Sequence, residues 1–176
     1  MLLCVAFAAM SASAQITWNV KGGVGYAHLL GDTEGLKGHV VGKAGVGIEK
    51  PFTSNWSLMP SLEVALKGCK IEDYKSMNLL YVQVPVLAAY RLNINDSWNT
   101  TLKAGPYFGV GVYGTENAFS DLGCKRFECG LVLGVDFEYH RFVFGVEYEL
   151  GFTNLVEEDG ASARNAAFYA TVGYKF

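Results

Sequence analysis

The sequence predicts an all-β chain: a closed, antiparallel, up-and-down β-barrel of eight transmembrane strands. Three observations carry this. Apolar residues recur at every second position through nearly all of residues 15–176, and helical periodicity is absent. Charged residues make up only 18% of the chain while hydrophobic ones reach 51%; a soluble domain carries about 25% charged residues. The chain also opens on an export-type leader.

A length of 176 residues allows one domain. The 21 glycines and 4 prolines suit many strands that bend or need small side chains on one face. A net charge of −3 without a long basic run argues against a nucleic-acid partner. Residues 1–14, MLLCVAFAAMSASA, form an apolar run ending in Ala12-Ser13-Ala14, which reads as a signal peptide cleaved before Gln15. No Lys or Arg precedes the run, so the natural start is expected a few residues upstream; the alternative is a buried N-terminal segment. Cys4 lies too early for a lipoprotein leader. Residues 15–176 are the barrel domain, with no run of eighteen apolar residues for a membrane helix.

The first strand sets Ile16, Trp18, Val20, Val24 and Tyr26 against Thr17, Asn19, Lys21 and Gly23. The second sets Val40, Ala44, Val46 and Ile48 against Lys43, Gly45, Gly47 and Glu49. In the third, Leu58, Leu62, Val64 and Leu66 oppose Ser61, Glu63 and Lys67; in the fourth, Leu80 to Tyr90 on even numbers oppose Tyr81, Gln83, Ala89 and Arg91. The fifth carries Trp98, Leu102, Ala104, Phe108 and Val110 against Thr101, Lys103 and Tyr107. The sixth carries Leu131, Leu133, Val135, Phe137 and Tyr139 against Glu128, Asp136 and Glu138. The seventh sets Phe144, Val146, Tyr148 and Leu150 against Glu147 and Glu149, and the last sets Phe168, Ala170, Val172, Tyr174 and Phe176 against Tyr169, Thr171 and Lys175. A one-residue slip would exchange the faces, so this consistency is informative.

Connections near 53–55, 93–97 and 140–141 are short, and those near 31–38, 70–78, 114–126 and 154–165 are longer. Short turns at one end and long loops at the other are the outer-membrane arrangement. Both termini then fall at the short-turn end, which places them in the periplasm of a Gram-negative cell, and the last strand closes on the first. Closure leaves no free edge in lipid. Trp18, Phe52, Trp56, Trp98, Tyr139, Phe142, Tyr174 and Phe176 gather at that end as an aromatic girdle; ordinary anchoring of hairpins is the plainer account. The final strand ending in Phe176 resembles the signal by which the outer-membrane assembly machinery recognises its clients.

The stretch LLYVQVPVLAAYRL, with Tyr81-Val82-Gln83-Val84-Pro85, resembles the tyrosine–apolar–Glu/Gln–apolar–proline segment of the PorT-like outer-membrane β-barrel proteins of Bacteroidota, small barrels of the OmpX/OmpA type. The resemblance spans residues 15–176 and implies fold and location rather than activity.

With apolar faces outward, the interior receives Lys21, Lys43, Lys67, Arg91, Lys103 and Lys175 against Glu49, Glu63, Glu128, Asp136, Glu138, Glu147 and Glu149. Buried charges persist when paired, and an eight-stranded barrel is just wide enough for side chains to fill it. A structural charge network is therefore expected over a proton or ion path. GVGVYG at 109–114 matches a dinucleotide fingerprint only in letters, since no helix pattern follows. His28, His39 and His140 lack a third ligand at zinc spacing, so no metal is expected. Ser120, Asp121 and His39 form no ordered triad, so neither catalysis nor a cofactor is expected. Cys69, Cys124 and Cys129 permit a Cys124–Cys129 or a Cys69–Cys124 bridge, or three unpaired thiols.

The leading expectation is a small, monomeric, non-enzymatic outer-membrane barrel with outer-membrane lipid around it. Its role is structural or surface interaction through the long loops with an unspecified extracellular partner; the acidic Asp32, Glu34, Glu157, Glu158 and Asp159 there would meet a cationic partner or a divalent ion, or else be simply solvated. The alternative is a soluble, exported, lipocalin-like barrel with its apolar face around a hydrophobic ligand. A membrane-embedded enzyme ranks third.

Overall fold

A computed structural model describes residues 16–31, 36–37, 39–71, 77–95, 97–114, 126–153 and 163–176. The proposed leader lies outside the described residues, as do Ser120, Asp121, Cys124 and the acidic residues 32, 34 and 157–159. The strands are β1 (Thr17–Gly31), β2 (Leu36–Lys37), β3 (His39–Pro51), β4 (Trp56–Ile71), β5 (Met77–Asn93), β6 (Trp98–Gly114), β7 (Phe127–Tyr139), β8 (Phe142–Gly151) and β9 (Ala163–Lys175). Neighbours pair antiparallel in the order β4-β3-β1-β9-β8-β7-β6-β5, and β4 also pairs with β5. The order is therefore circular, an eight-stranded barrel in which β1 on β9 joins the first strand to the last. The two-residue β2 is an appendage, pairing Leu36 with Ile71 and Lys37 with Lys70.

The closing seam matches Asn19 to Lys175 and runs to Gly31 opposite Ala163. Phe176 extends it, donating its backbone N–H to the Trp18 carbonyl at 2.9 Å. The short turns span 52–55, 94–97 and 140–141. In the tightest of them Tyr139 faces Phe142, and His140 takes a φ of 54°, the left-handed region that histidine tolerates better than bulky or branched residues.

The apolar faces point outward. Val24, Val46, Leu62, Val84, Phe108, Phe144 and Val172 are all exposed, while Lys43, Glu63, Lys67, Gln83, Lys103, Glu147 and Glu149 are buried. A soluble barrel with a hydrophobic ligand inside needs the opposite arrangement, so the lipocalin-like alternative has no support.

Two departures from strict alternation appear. In β6, Leu80 faces Tyr113 but Tyr81 faces Gly111, so Val112 is an extra residue in a β-bulge. Val112 and Tyr113 consequently both point outward, at 53% and 65% exposure, where period two would turn Tyr113 inward. At the long-loop end, β4 and β5 keep pairing to Cys69 opposite Met77, beyond the last alternating residue of the third predicted strand. Backbone ladders do not require apolar side chains once a hairpin leaves the hydrophobic band.

Candidate functional site

The barrel lumen is where the chemistry-bearing side chains converge, and its charges fall into two groups. Near the short turns, Glu49 of β3 and Glu138 of β7 share two cations. The Arg91 guanidinium lies 2.8 Å from Glu49 and 3.4 Å from Glu138, and the Lys175 ammonium lies 2.7 and 2.5 Å from the same pair. Ser57 and Thr101 donate their hydroxyls to Glu49 and Glu138 at 3.2 and 3.1 Å. Both acids thus accept from hydroxyl and cation together, which is what a buried carboxylate requires.

The larger group centres on Glu147. It accepts from Lys21 at 3.0 Å, from Lys103 at 2.6 Å, and from Lys43. Lys103 also holds Asp136 at 2.6 Å, and Lys21 reaches Glu63 at 2.8 Å. Lys43 continues to Glu149 at 2.9 Å and Glu63 at 3.5 Å. Lys67 then links Glu149 to Glu128, each at 3.1 Å. The Gln83 amide donates to Glu149 at 2.9 Å and Glu63 at 3.3 Å, tying β5 into the chain of pairs.

Oxygens of Glu63, Glu147 and Glu149 lie within 4.8 Å of one another, a spacing that would suit a metal ion. The Lys43 ammonium touches all three carboxylates and supplies the positive charge there itself.

The structure brings together every charged residue assigned to the interior by parity. What parity did not reveal is the role of three tyrosines. Tyr81, Tyr107 and Tyr169 are fully buried. The Tyr107 hydroxyl donates to Glu128 at 2.5 Å, the Lys67 ammonium lies 4.3 Å above the Tyr107 ring, and Lys43 lies 4.6 Å above Tyr169. Each ring therefore seals space and stabilises a buried cation at once. Their signal in the sequence is a tyrosine on the polar parity of a strand whose other face is apolar. Leu87, Val132 and Tyr107 pack as an apolar block beside them.

Glycines make this packing possible. A Cβ on Gly45 would meet the Leu62 carbonyl at 2.5 Å and Glu63 Cγ at 2.6 Å; one on Gly134 would meet Lys103 Cε at 2.7 Å. Gly45→Ala should therefore displace Glu63 from Lys21 and cost about 1–3 kcal/mol, the range of overpacked cores. Urea titration of the refolded barrel in micelles measures it, and an unchanged midpoint would show that the wall yields at β3.

Between the two charge groups lies a cavity of about 30 Å³, bordered by Asn19, Ser61, Lys103, Asp136, Thr171 and Lys175. Apolar Val20, Ile48, Met59 and Leu87 line it as well; that is room for about one water, and it is no channel. His28 and His39 are not paired across their strands, since His39 faces Ala27. Cys129 is a free thiol, its N–H bonded to Thr153 Oγ1 at 3.0 Å; Cys124 and the Cys69 side chain lie outside the described residues.

Outside, rings pair at the short-turn end: Trp56 with Tyr90 at 5.0 Å, Trp98 with Tyr139 at 4.8 Å, Phe142 with Tyr174 at 5.4 Å and Tyr174 with Phe176 at 5.3 Å. Trp18 and Phe52 are exposed there as well.

The profile of the family described as "Outer membrane protein beta-barrel domain" matches residues 7–157. The chain belongs to this outer-membrane β-barrel family. Solved structures agree in fold. Ail, the attachment invasion locus protein of Yersinia pestis, is 16% identical over 91% of this chain and 98% of its own, with a TM-score of 0.50. OprG from Pseudomonas aeruginosa is 13% identical over 93% and 97%, with a TM-score of 0.52. Neisserial surface protein A is 12% identical over 90% and 97%, with a TM-score of 0.51. At such identities the likeness is one of fold. Comparison with curated proteins gives no match. Family membership implies the outer membrane as the location, which accounts for an apolar exterior around a charged interior.

Proposed function

We propose that the protein is a small, monomeric, non-enzymatic barrel whose lumen is closed by its ion-paired network. Its contribution to the cell is made at the long-connection end, facing outward, by surface contact with an extracellular partner. The observation that carries this reading is the lumen itself: among the described residues the charges of both groups are spent on one another, and the cavity beside them has room for about one water. A filled interior argues for the network as structure rather than path. The aromatic pairs at the short-turn end support an interfacial girdle and periplasmic termini. The stretch from Tyr81 to Pro85 favours the PorT-like group of Bacteroidota within the family.

The direct test is whole-cell labelling of an epitope placed within residues 115–125 and another fused after Phe176. Labelling of the first alone is expected; labelling of the second on intact cells would invert the orientation. The purified protein should need detergent and run faster unheated than boiled on a gel. Planar bilayers containing it should show no stable unitary conductance, and regular unitary currents would overturn the closed lumen.

Deleting Phe176 removes an exposed ring and one backbone bond. Folded stability in micelles should fall by no more than roughly 1.5–3 kcal/mol. Outer-membrane yield in cells should fall further, as the resemblance of this strand to an assembly signal implies. Equal losses in both assays would reduce Phe176 to a packing residue.

A further inference from the structure

The chain has 4 prolines, and three of them stand inside consecutive strands: Pro60 in β4, Pro85 in β5 and Pro106 in β6. Proline has no N–H to give a ladder, so in sheets it keeps to edges, strand starts and bulges. A closed barrel in lipid has no such edge. Each of the three interrupts the pairing. Between β3 and β4 the register runs to Gly47 opposite Ser61 and resumes at Lys50 opposite Leu58, passing over Ile48 and Pro60. Between β4 and β5 it passes over Ser61 and Pro85, and between β5 and β6 over Val86 and Pro106. The other five seams keep unbroken registers.

The three gaps are of one kind. A Cβ on Gly47 would lie 3.2 Å from the Pro60 carbonyl, which therefore points at β3, and the Val86 carbonyl points at Gly105 on β6. In an antiparallel ladder the N–H and C=O of one residue face the same neighbour, and bonded pairs exchange both bonds. Pro60 thus stands where it should donate to Ile48, Pro85 to Ser61 and Pro106 to Val86. None can, so the carbonyls of Ile48, Ser61 and Val86 have no ladder donor. Because Pro60 adjoins Ser61 and Pro85 adjoins Val86, the gaps form one continuous row across the wall.

Pro85 and Pro106 are each the ninth residue of a 17-residue strand. The row therefore lies at mid-depth, where no headgroup water reaches it and an unpaired backbone group is costly. Its inner side is different. Met59, Leu87, Tyr107 and Val132 pack there without a charge of their own. The cavity of about 30 Å³ borders Ile48, Met59, Pro60, Ser61 and Leu87, which puts room for a water beside the first two gaps.

We propose that the wall from β3 to β6 is a seam at which the barrel opens locally: the strands part along the proline row, and lumen water donates to the carbonyls of Ile48, Ser61 and Val86. Local opening draws on the least-bonded part of a structure, and here three neighbouring seams are weakened at one depth. The opening is sideways, within the wall, so the ion pairs that fill the lumen stay in place.

Hydrogen exchange of the refolded barrel in phospholipid nanodiscs, read amide by amide by NMR, tests the seam. The amides of Ile48, Ser61 and Val86 are expected to exchange at least tenfold faster than those of Val146 and Ala170, which face each other in an unbroken ladder. Pro60→Ala, Pro85→Ala and Pro106→Ala together give each carbonyl a donor and should abolish the difference. Pro51→Ala, beside the short turn at 52–55, should leave it unchanged. Rates are taken relative to Val146 of the same protein, so a change in overall stability cancels. Equal protection of the row and of Val146 in the native chain would overturn the seam. So would a difference that survives the triple substitution, or one that Pro51→Ala abolishes as well. If the triple variant fails to form a heat-modifiable barrel, Pro106→Ala alone should slow Val86 and leave Ile48 fast; slowing neither or both would refute the row.

Discussion

Glu147→Ala should destabilise the folded barrel by about 3–5 kcal/mol, the usual cost of removing one partner from a buried ion pair. The glutamate is fully buried and is approached by the ammonium groups of Lys21, Lys43 and Lys103. Lys21 keeps Glu63, and Lys43 keeps Glu63 and Glu149; Lys103 retains Asp136. The lost energy is thus the desolvation of three cations that share fewer acids. Urea titrations in micelles would measure it, with Glu138→Ala as comparator at the wetter short-turn end, where Arg91 is partly exposed. Combining Glu147→Ala with Lys43→Met should return part of the loss, because a cation and an anion leave together. A loss below 1 kcal/mol from Glu147→Ala would mean that water enters the lumen freely.

Val84→Arg should cost about 2–4 kcal/mol, since an arginine on the lipid face at mid-depth must desolvate or distort the bilayer. Val84 is exposed on the outward face near the middle of β5, which runs from Met77 to Asn93. Leu92→Arg, on the same face and strand beside the short turn, should cost only about 0–1 kcal/mol, as the interface is reached. The gradient between the two positions is the measurement. Equal costs would show that no hydrocarbon band surrounds the strand.

Much of the barrel was legible because lipid imposes a strict rule on one face. From Leu80 to Tyr90 every even residue is apolar, and the structure turns those residues outward. Hairpins such as Tyr139 opposite Phe142 were equally plain, since a two-residue turn leaves little choice of register. The rule weakened where lipid ends. The residues of β4 after Lys67 no longer alternate, yet the strand continues to Ile71. The bulge at Val112 was hidden for another reason: Val112 keeps the apolar parity of Val110, and only the register against β5 shows that it is an extra residue.

By itself the sequence determined which residues share a face, how many strands the barrel has, where the short turns fall, and that both signs of charge lie on the polar face. Only the tertiary structure decided who pairs with whom. Lys21 meets Glu147 and Lys175 meets Glu49, each pair 126 residues apart. It also decided that Lys43 occupies the gap among three carboxylates and that three tyrosines cap the lysines. Period two is a property of a single strand's backbone, so it survives in the sequence. Contacts across the lumen depend on how far each strand is staggered against its neighbour, and the seam of β1 on β9, which joins the first strand to the last, settles that stagger when the barrel closes.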